Sequence, residues 1–270
     1  MGVGVQSMIR RVPMMLGPLI GGWLLTRFGW TDGVRYALAL CVAMSLLTAA
    51  FQWFMFEPGT GRADLPVSPD IGAAQQRGPT FVGVVKTFTP ALRELLVSDI
   101  LIRFCERIPY AFVILWAMDY GSLTAQQFSY LVAFEMVTAM LCYIPVAHLA
   151  DKYGRRPFVL VTFVFFTLFP VTLLFAHDFR WLALAFVVRG LKEFGEPARK
   201  ALIIGEAVPE LRARTYGAYY LIRDCTVTSG SFLGAWLWSV SPQANFIGAA
   251  ICGALGTIWF WWFIYRKKNN

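Results

Sequence analysis

The chain has 270 residues, of which 57% are hydrophobic, 16% aromatic and 15% charged, with a formal net charge of +8 and a mean hydropathy of +0.57. A water-soluble domain of this length carries more charge and fewer apolar residues, so composition excludes a soluble enzyme or binding module and points to a polytopic membrane protein. The positive balance then belongs to loops facing anionic lipid rather than to a nucleic-acid surface, and the five cysteines, scattered singly through apolar runs, form neither a disulfide framework nor a metal site.

Membrane spans need about 20 apolar residues each. They are expected at 8–27, 34–55, 98–118, 126–148, 158–176, 181–206, 214–240 and 243–265. The pattern is all-α, since an open sheet cannot satisfy its backbone in lipid. Between the second and third spans, residues 57–80 are rich in Gly, Pro and charge and read as a linker. Phe81, Val84, Val85, Phe88, Leu92, Leu95 and Leu96 then recur at helical spacing. They predict an amphipathic helix kinked at Pro90, lying either on the membrane surface or within a cytoplasmic linker.

Between the fourth and fifth spans lies the short basic turn 149–157, with Asp151, Lys152, Gly154, Arg155, Arg156 and Pro157. Gly154 suits positive φ and Pro157 the first turn of the next helix. With this turn inside, sixteen Lys and Arg fall on its side, Arg199 and Lys200 among them, against three outside (Arg27, Arg35 and Arg180). That bias predicts cytoplasmic termini in a cell (inner or plasma) membrane. Residues 3–24 align without a gap to 216–237. The alignment matches Gly4 to Gly217, Ile9 to Ile222, Arg10 to Arg223, Gly17 to Gly230, Gly21 to Gly234, Trp23 to Trp236 and Leu24 to Leu237. Such repeats mark transporters built from related halves.

The turn resembles a signature of the major facilitator superfamily, Gly-x-Leu-Ala-Asp-(Arg/Lys)-x-Gly-(Arg/Lys)-(Arg/Lys). Leu149, Ala150, Asp151, Lys152, Gly154, Arg155 and Arg156 match it, and Ala147 stands in place of the first Gly. Gly17, Pro18, Gly21 and Gly22 likewise resemble the family's fifth-helix pattern Gly-Pro-x-x-Gly-Gly. With the repeat, the resemblance implies an MFS-type helical bundle of about eight spans lacking its first four helices. Residues 1–56 would be the last two helices of the first bundle, 57–97 the linker and 98–270 a six-helix second bundle. It also implies that Asp151 and the bases of its turn latch one conformational state. Gly17, Pro18, Gly21, Gly22, Gly230 and Gly234 would give close helix packing or a flexible gate.

Charges inside spans are costly in lipid and should face one another or a watery cavity. Asp99, Arg103 and Arg107 recur four apart, as do Arg189 with Glu193 and Lys192 with Glu196, spacings that predict ion pairs along one helix. Gly190, Gly195 and Pro197 should interrupt their helix. Glu135 has no charged neighbour in sequence; burial of a lone carboxylate disfavours its ionised form, which makes Glu135 the proton-coupling candidate. Arg103, Glu106, Arg107, Arg189, Lys192, Glu193, Arg223 and Asp224 complete the expected substrate and coupling set. His148 and His177 read as interfacial residues.

The expected function is secondary-active transport of a small solute by alternating access, as a permease or an efflux protein, coupled to protons or another ion. No cofactor, metal or nucleic acid is expected. Neither histidine has a partner group for enzymatic chemistry, and no nucleotide motif is present. A truncated non-transporting fragment or a regulatory membrane subunit is the alternative.

Overall fold

The structure, a computed structural model, describes residues 2–55 and 79–265; for residues 2–10, 143–145, 147, 148, 150, 151, 264 and 265 it describes the backbone alone. The described chain is a helical membrane bundle. Helix α1, Gly2–Met55, is broken at Gly29, whose φ of 76° and ψ of 176° turn the chain back on itself. Only Gly takes this conformation without strain. Gly33 completes the hairpin, because a side chain there would strike the backbone of Leu24 and Leu25. Pro13 and Pro18 lie within the first limb without taking non-helical angles.

After Met55 the described chain resumes at residue 79, so the linker expected at 57–80 lies outside it except for Pro79 and Thr80. The amphipathic stretch that follows does not lie on a surface. It forms α2, Phe81–Lys86, and, after a break at Thr87–Thr89, the start of α3, Pro90–Arg107. Thr89 caps α3 by accepting the Leu92 amide at 3.1 Å, with Pro90 in the first turn. Val84, Phe88, Leu92 and Leu95 are all buried in the core. The spacing was that of a core face, and Pro90 starts a helix rather than kinking one.

The chain continues through a turn at 108–111 into α4, Phe112–Leu115, which runs on as π-helix over Trp116–Tyr120. Helix α5, Ala125–Tyr153, begins in a capping box between Thr124 and Gln127. Gly154 (φ 85°) ends it, and α6, Arg156–Phe175, follows at once. The next traverse is split into α7, Phe179–Leu191, and α8, Glu196–Gly205. Helices α9, Arg212–Val240, and α10, Pro242–Phe260, complete the bundle. By length and apolarity alone, Arg11–Met55, Arg156–Phe175 and Pro242–Phe263 qualify as spans among the described residues. Helices α3, α7–α8 and α9 carry charges within their length.

Two apolar clusters divide the bundle. One, towards the end with the 153–156 turn, holds Leu92, Ile102, Phe163, Phe166, Ile203 and Tyr219. The other, towards the opposite end, holds Val113, Trp116, Leu131, Phe169, Leu182 and Phe246. Arg103, Glu106 and Arg107 on α3, Arg189, Lys192 and Glu193 on α7–α8, and Arg223 and Asp224 on α9 fall between them, whereas Asp99 and Arg199 lie among residues of the first cluster.

Glycines set how closely the helices approach. A side chain at Gly190 would meet the Glu135 carbonyl oxygen at 2.6 Å, one at Gly230 would meet Phe104 at 2.9 Å, and one at Gly234 would strike the Ile108 carbonyl. Gly22 sits against Ser129 where α1 meets α5. The expectation of close packing at Gly17 and Gly21 is corrected: nothing lies within 4 Å of a side chain there. Both open onto an apolar cleft of about 540 Å³ between the two limbs of α1. Gly190→Val and Gly234→Val should therefore each lose at least about 1–3 kcal/mol through overpacking. Gly17→Ala should be neutral or gain up to about 1 kcal/mol from helix propensity. Thermal unfolding in detergent checks this; equal losses in all three would contradict it.

Candidate functional site

The site is built on two interruptions in the helices. Between α7 and α8, residues 192–195 form turns instead of helix, as the glycines and proline there predicted. The Gly195 amide freed by the break donates to Thr162 Oγ1 at 2.6 Å. A side chain at Gly195 would strike the Phe158 carbonyl, so only glycine fits against α6. Between α3 and α4, the turn at 108–111 leaves the Ile108 carbonyl to accept from Asn245 Nδ2 at 3.3 Å, while the same nitrogen donates to Gly234 O at 2.8 Å. Discontinuous helices at membrane depth are tolerated where protein or a cavity satisfies the freed backbone.

The charged side chains beside these breaks form one layer. Asp99, with no exposed surface, is its centre. Asp99 Oδ2 accepts from Arg199, from Tyr219 Oη at 3.2 Å and from Arg223 Nη1 at 3.4 Å. Arg199 also holds Glu196 at 2.6 Å, and Glu196 takes Arg103 at 3.1 Å. Arg103 pairs with Glu106 at 2.7 Å, and Glu106 with Lys192 at 2.5 Å. Arg223 pairs with Asp224 at 2.7 Å, and its guanidinium lies 4.0 Å from the Tyr220 ring centre. Arg103 and Lys192 each lie 5.3 Å from the Phe166 ring, so aromatic faces of the apolar clusters support the cations.

Two further pairs flank the layer. Arg189 reaches Glu135 at 3.3 Å, and Arg11 of α1 reaches Glu193 at 2.6 Å. Glu135 is therefore buried but not isolated. The pairs expected within one helix, Arg189 with Glu193 and Lys192 with Glu196, are absent among the described residues. The 192–195 break takes these side chains out of helical register, and each finds a partner on another helix. Asp99 and Arg103 are only loosely in line, 3.9 Å apart.

Arg103, Glu106, Arg107, Arg223 and Asp224 line one cleft of about 380 Å³ with Tyr110 and Thr228. Glu135 and Arg189 lie apart from it, as does the 149–157 turn. There Arg155 donates to the Ala201 carbonyl at 3.1 Å and Arg156 pairs with Glu206 at 3.8 Å, both near the end of α8. Lys152 sits over the Tyr153 ring at 5.4 Å. The side chains of Asp151, His148 and Arg10 lie outside the described residues. His177 tilts against Trp116.

Arg199 departs furthest from expectation: its sequence position groups it with the bases of the inner side, yet it is 1% exposed and tied to Asp99. The signal that could have found it is Glu196-x-x-Arg199, an acid and a base on one helical face just after the break. Tyr219 and Arg11 were missed as well; a tyrosine hydroxyl and a base near a chain end carry no spacing signal.

Removing one partner of a buried pair strands the other, at a typical cost of about 3–5 kcal/mol. Asp99→Asn should lose that much stability in detergent unfolding, whereas Arg107→Gln, which strands no carboxylate, should lose less than about 1 kcal/mol. Equal effects would contradict the assignment of Asp99 as the centre of the layer.

Residues 95–270, from within α3 to the end of the chain, match the family model described as Major Facilitator Superfamily. None of the curated proteins matches the chain.

Proposed function

We propose that this chain, which belongs to the major facilitator superfamily of transporters, works as a secondary-active transporter that carries a small solute by alternating access. The observation that supports this most is the 380 Å³ cleft lined by Arg103, Glu106, Arg107, Arg223 and Asp224. Charged groups at the middle of membrane helices are retained where a polar solute or ion must pass.

In this reading residues 1–56 belong to one helical body and 98–270 to another, joined through residues 57–97. The two rock about the charged layer. Arg11–Glu193 ties α1 to the discontinuous helix in the captured state, and rocking would break it. Closure at the cytoplasmic face is assigned to Asp151, Lys152, Arg155 and Arg156. The excess of bases on one side supports cytoplasmic termini, and the protein is assigned to the inner or plasma membrane.

Coupling to an ion gradient is assigned to Glu135. Protonation of its carboxylate would release Arg189, 3.3 Å away, and give the pair two electrostatic states. In proteoliposomes, the parent chain should accumulate solute when a pH gradient is imposed. Glu135→Gln should keep solute exchange at zero gradient and lose most of the pH-driven accumulation, at least about tenfold. pH-driven accumulation undiminished in Glu135→Gln would contradict the coupling assignment, and no exchange by the parent chain with any solute would contradict transport itself.

A further inference from the structure

We infer that the cleft between α3 and α9 binds the single negative charge of a small organic anion, and that Arg107 is the residue that holds it. The inference rests on the transporter reading and names its solute class.

The charge balance of the layer carries the argument. Four acids, Asp99, Glu106, Glu196 and Asp224, pair with four bases, Arg103, Lys192, Arg199 and Arg223. The flanking pairs Arg11–Glu193 and Arg189–Glu135 are neutral too. Lys200 stands 4.0 Å from Glu196 but is itself exposed outside the layer. Arg107 remains. Its Nε donates to Ser231 Oγ at 3.0 Å and its guanidinium lies 5.6 Å from the Tyr110 ring. No carboxylate among the described residues pairs with it. The acids nearest along its own helix and across the cleft, Glu106 and Asp224, are already held by other bases.

Position makes this surplus informative. The helical stretch from Pro90 to Tyr120 carries Arg107 near its middle, and α9 carries Asp224 and Ser231 near its own. A cation at that depth costs about 2.5–3.5 kcal/mol or more in lipid. An anion from the solute offsets that cost. The guanidinium fork matches a carboxylate or a similar oxyanion, and Tyr110, whose hydroxyl makes no hydrogen bond among the described residues, adds a donor beside it. A surplus of one positive charge is neutralised by a monoanion, whereas a dianion would leave the cleft negative. The cleft volume suits a solute of small organic size.

The test puts one cysteine in the cleft, Thr228→Cys, in the full chain carrying Cys225→Ser. The variant is treated with two methanethiosulfonates of similar size, one ending in a sulfonate and one in a trimethylammonium group. Modification of the peptide containing residue 228 is followed by mass spectrometry. Relative to each reagent's rate with a small free thiol, the sulfonate reagent should react faster. Arg107→Gln should cut the ratio of the two rates about tenfold, the effect expected when a nearby unit charge that acts oppositely on the two reagents is removed in a partly aqueous cleft. Arg107→Lys should keep the preference. If Arg107→Gln does not fold, Arg107→Met makes the same comparison, and collapse of the parent's preference in 1 M salt shows that the preference is electrostatic. A ratio unchanged when the Arg107 charge is removed, or a preference for the cation after the same normalisation, overturns the proposal. Sulfonate preference in a chain that moves no solute in vesicles contradicts the transporter reading and leaves the anion site standing. Cation preference in a chain that does transport contradicts the anion site alone.

Discussion

The fold depends on keeping Asp99 paired. A carboxylate with no exposed surface in a helical membrane bundle is tolerable only if its charge is met within hydrogen-bonding distance, and here Arg199, Arg223 and Tyr219 all converge on one of its oxygens. Those donors come from α8 and α9, while Asp99 belongs to α3. One ion therefore fixes the relative positions of three helices. The other pairs follow from it: Arg199 also holds Glu196, and Glu196 holds Arg103, so satisfying one buried acid recruits the next.

The helix breaks make this layer possible. An unbroken helix from Phe179 to Gly205 would set Arg189 against Glu193 and Lys192 against Glu196 along its own face. The turns at 192–195 swing Lys192 to Glu106 on α3 and Glu193 to Arg11 on α1. The break is stable because α6 takes up its cost: Thr162 accepts the freed Gly195 amide, and Gly195 lets the backbones touch. The result is a polar layer bounded by apolar clusters, with Phe166 facing its cations from one side and Phe169 and Phe186 facing Arg189 from the other. Among the described residues Arg107 has no carboxylate partner, which supports the proposed solute path. Helix α1 packs along α5, closely at Gly22, and Arg11 ties it to Glu193.

Much of the architecture was legible because membrane helices announce themselves. Apolar runs of span length, the turn at Gly154 and the interrupted helix near Gly195 follow from hydropathy and from two residues with special backbone demands. The partners of the charges were not legible. Spacing along one chain predicts neighbours on one helix, whereas burial selects partners across helices, as Arg189 with Glu135 and Arg11 with Glu193 show. Arg199 was misplaced because a base near the end of a span looks the same whether it snorkels to the surface or turns inward to Asp99. The stretch 81–96 failed in the opposite sense: its apolar spacing was read correctly, but a face that packs on protein and one that packs on lipid have the same periodicity. Gly17 and Gly21 show that a small-residue pattern alone does not say which helix, if any, comes close.

The central claim is that the two helical bodies move about the charged layer. It is tested most directly by electron–electron distance measurement between spin labels at Arg27 and Arg180 in the full chain in lipid. Both positions are exposed. Arg27 is on α1 near Gly29 and Arg180 begins α7, at the same end of the bundle and on different moving parts. The account predicts two distance populations whose ratio shifts when a transported solute is added. A single narrow distance, unchanged by solute, would contradict it.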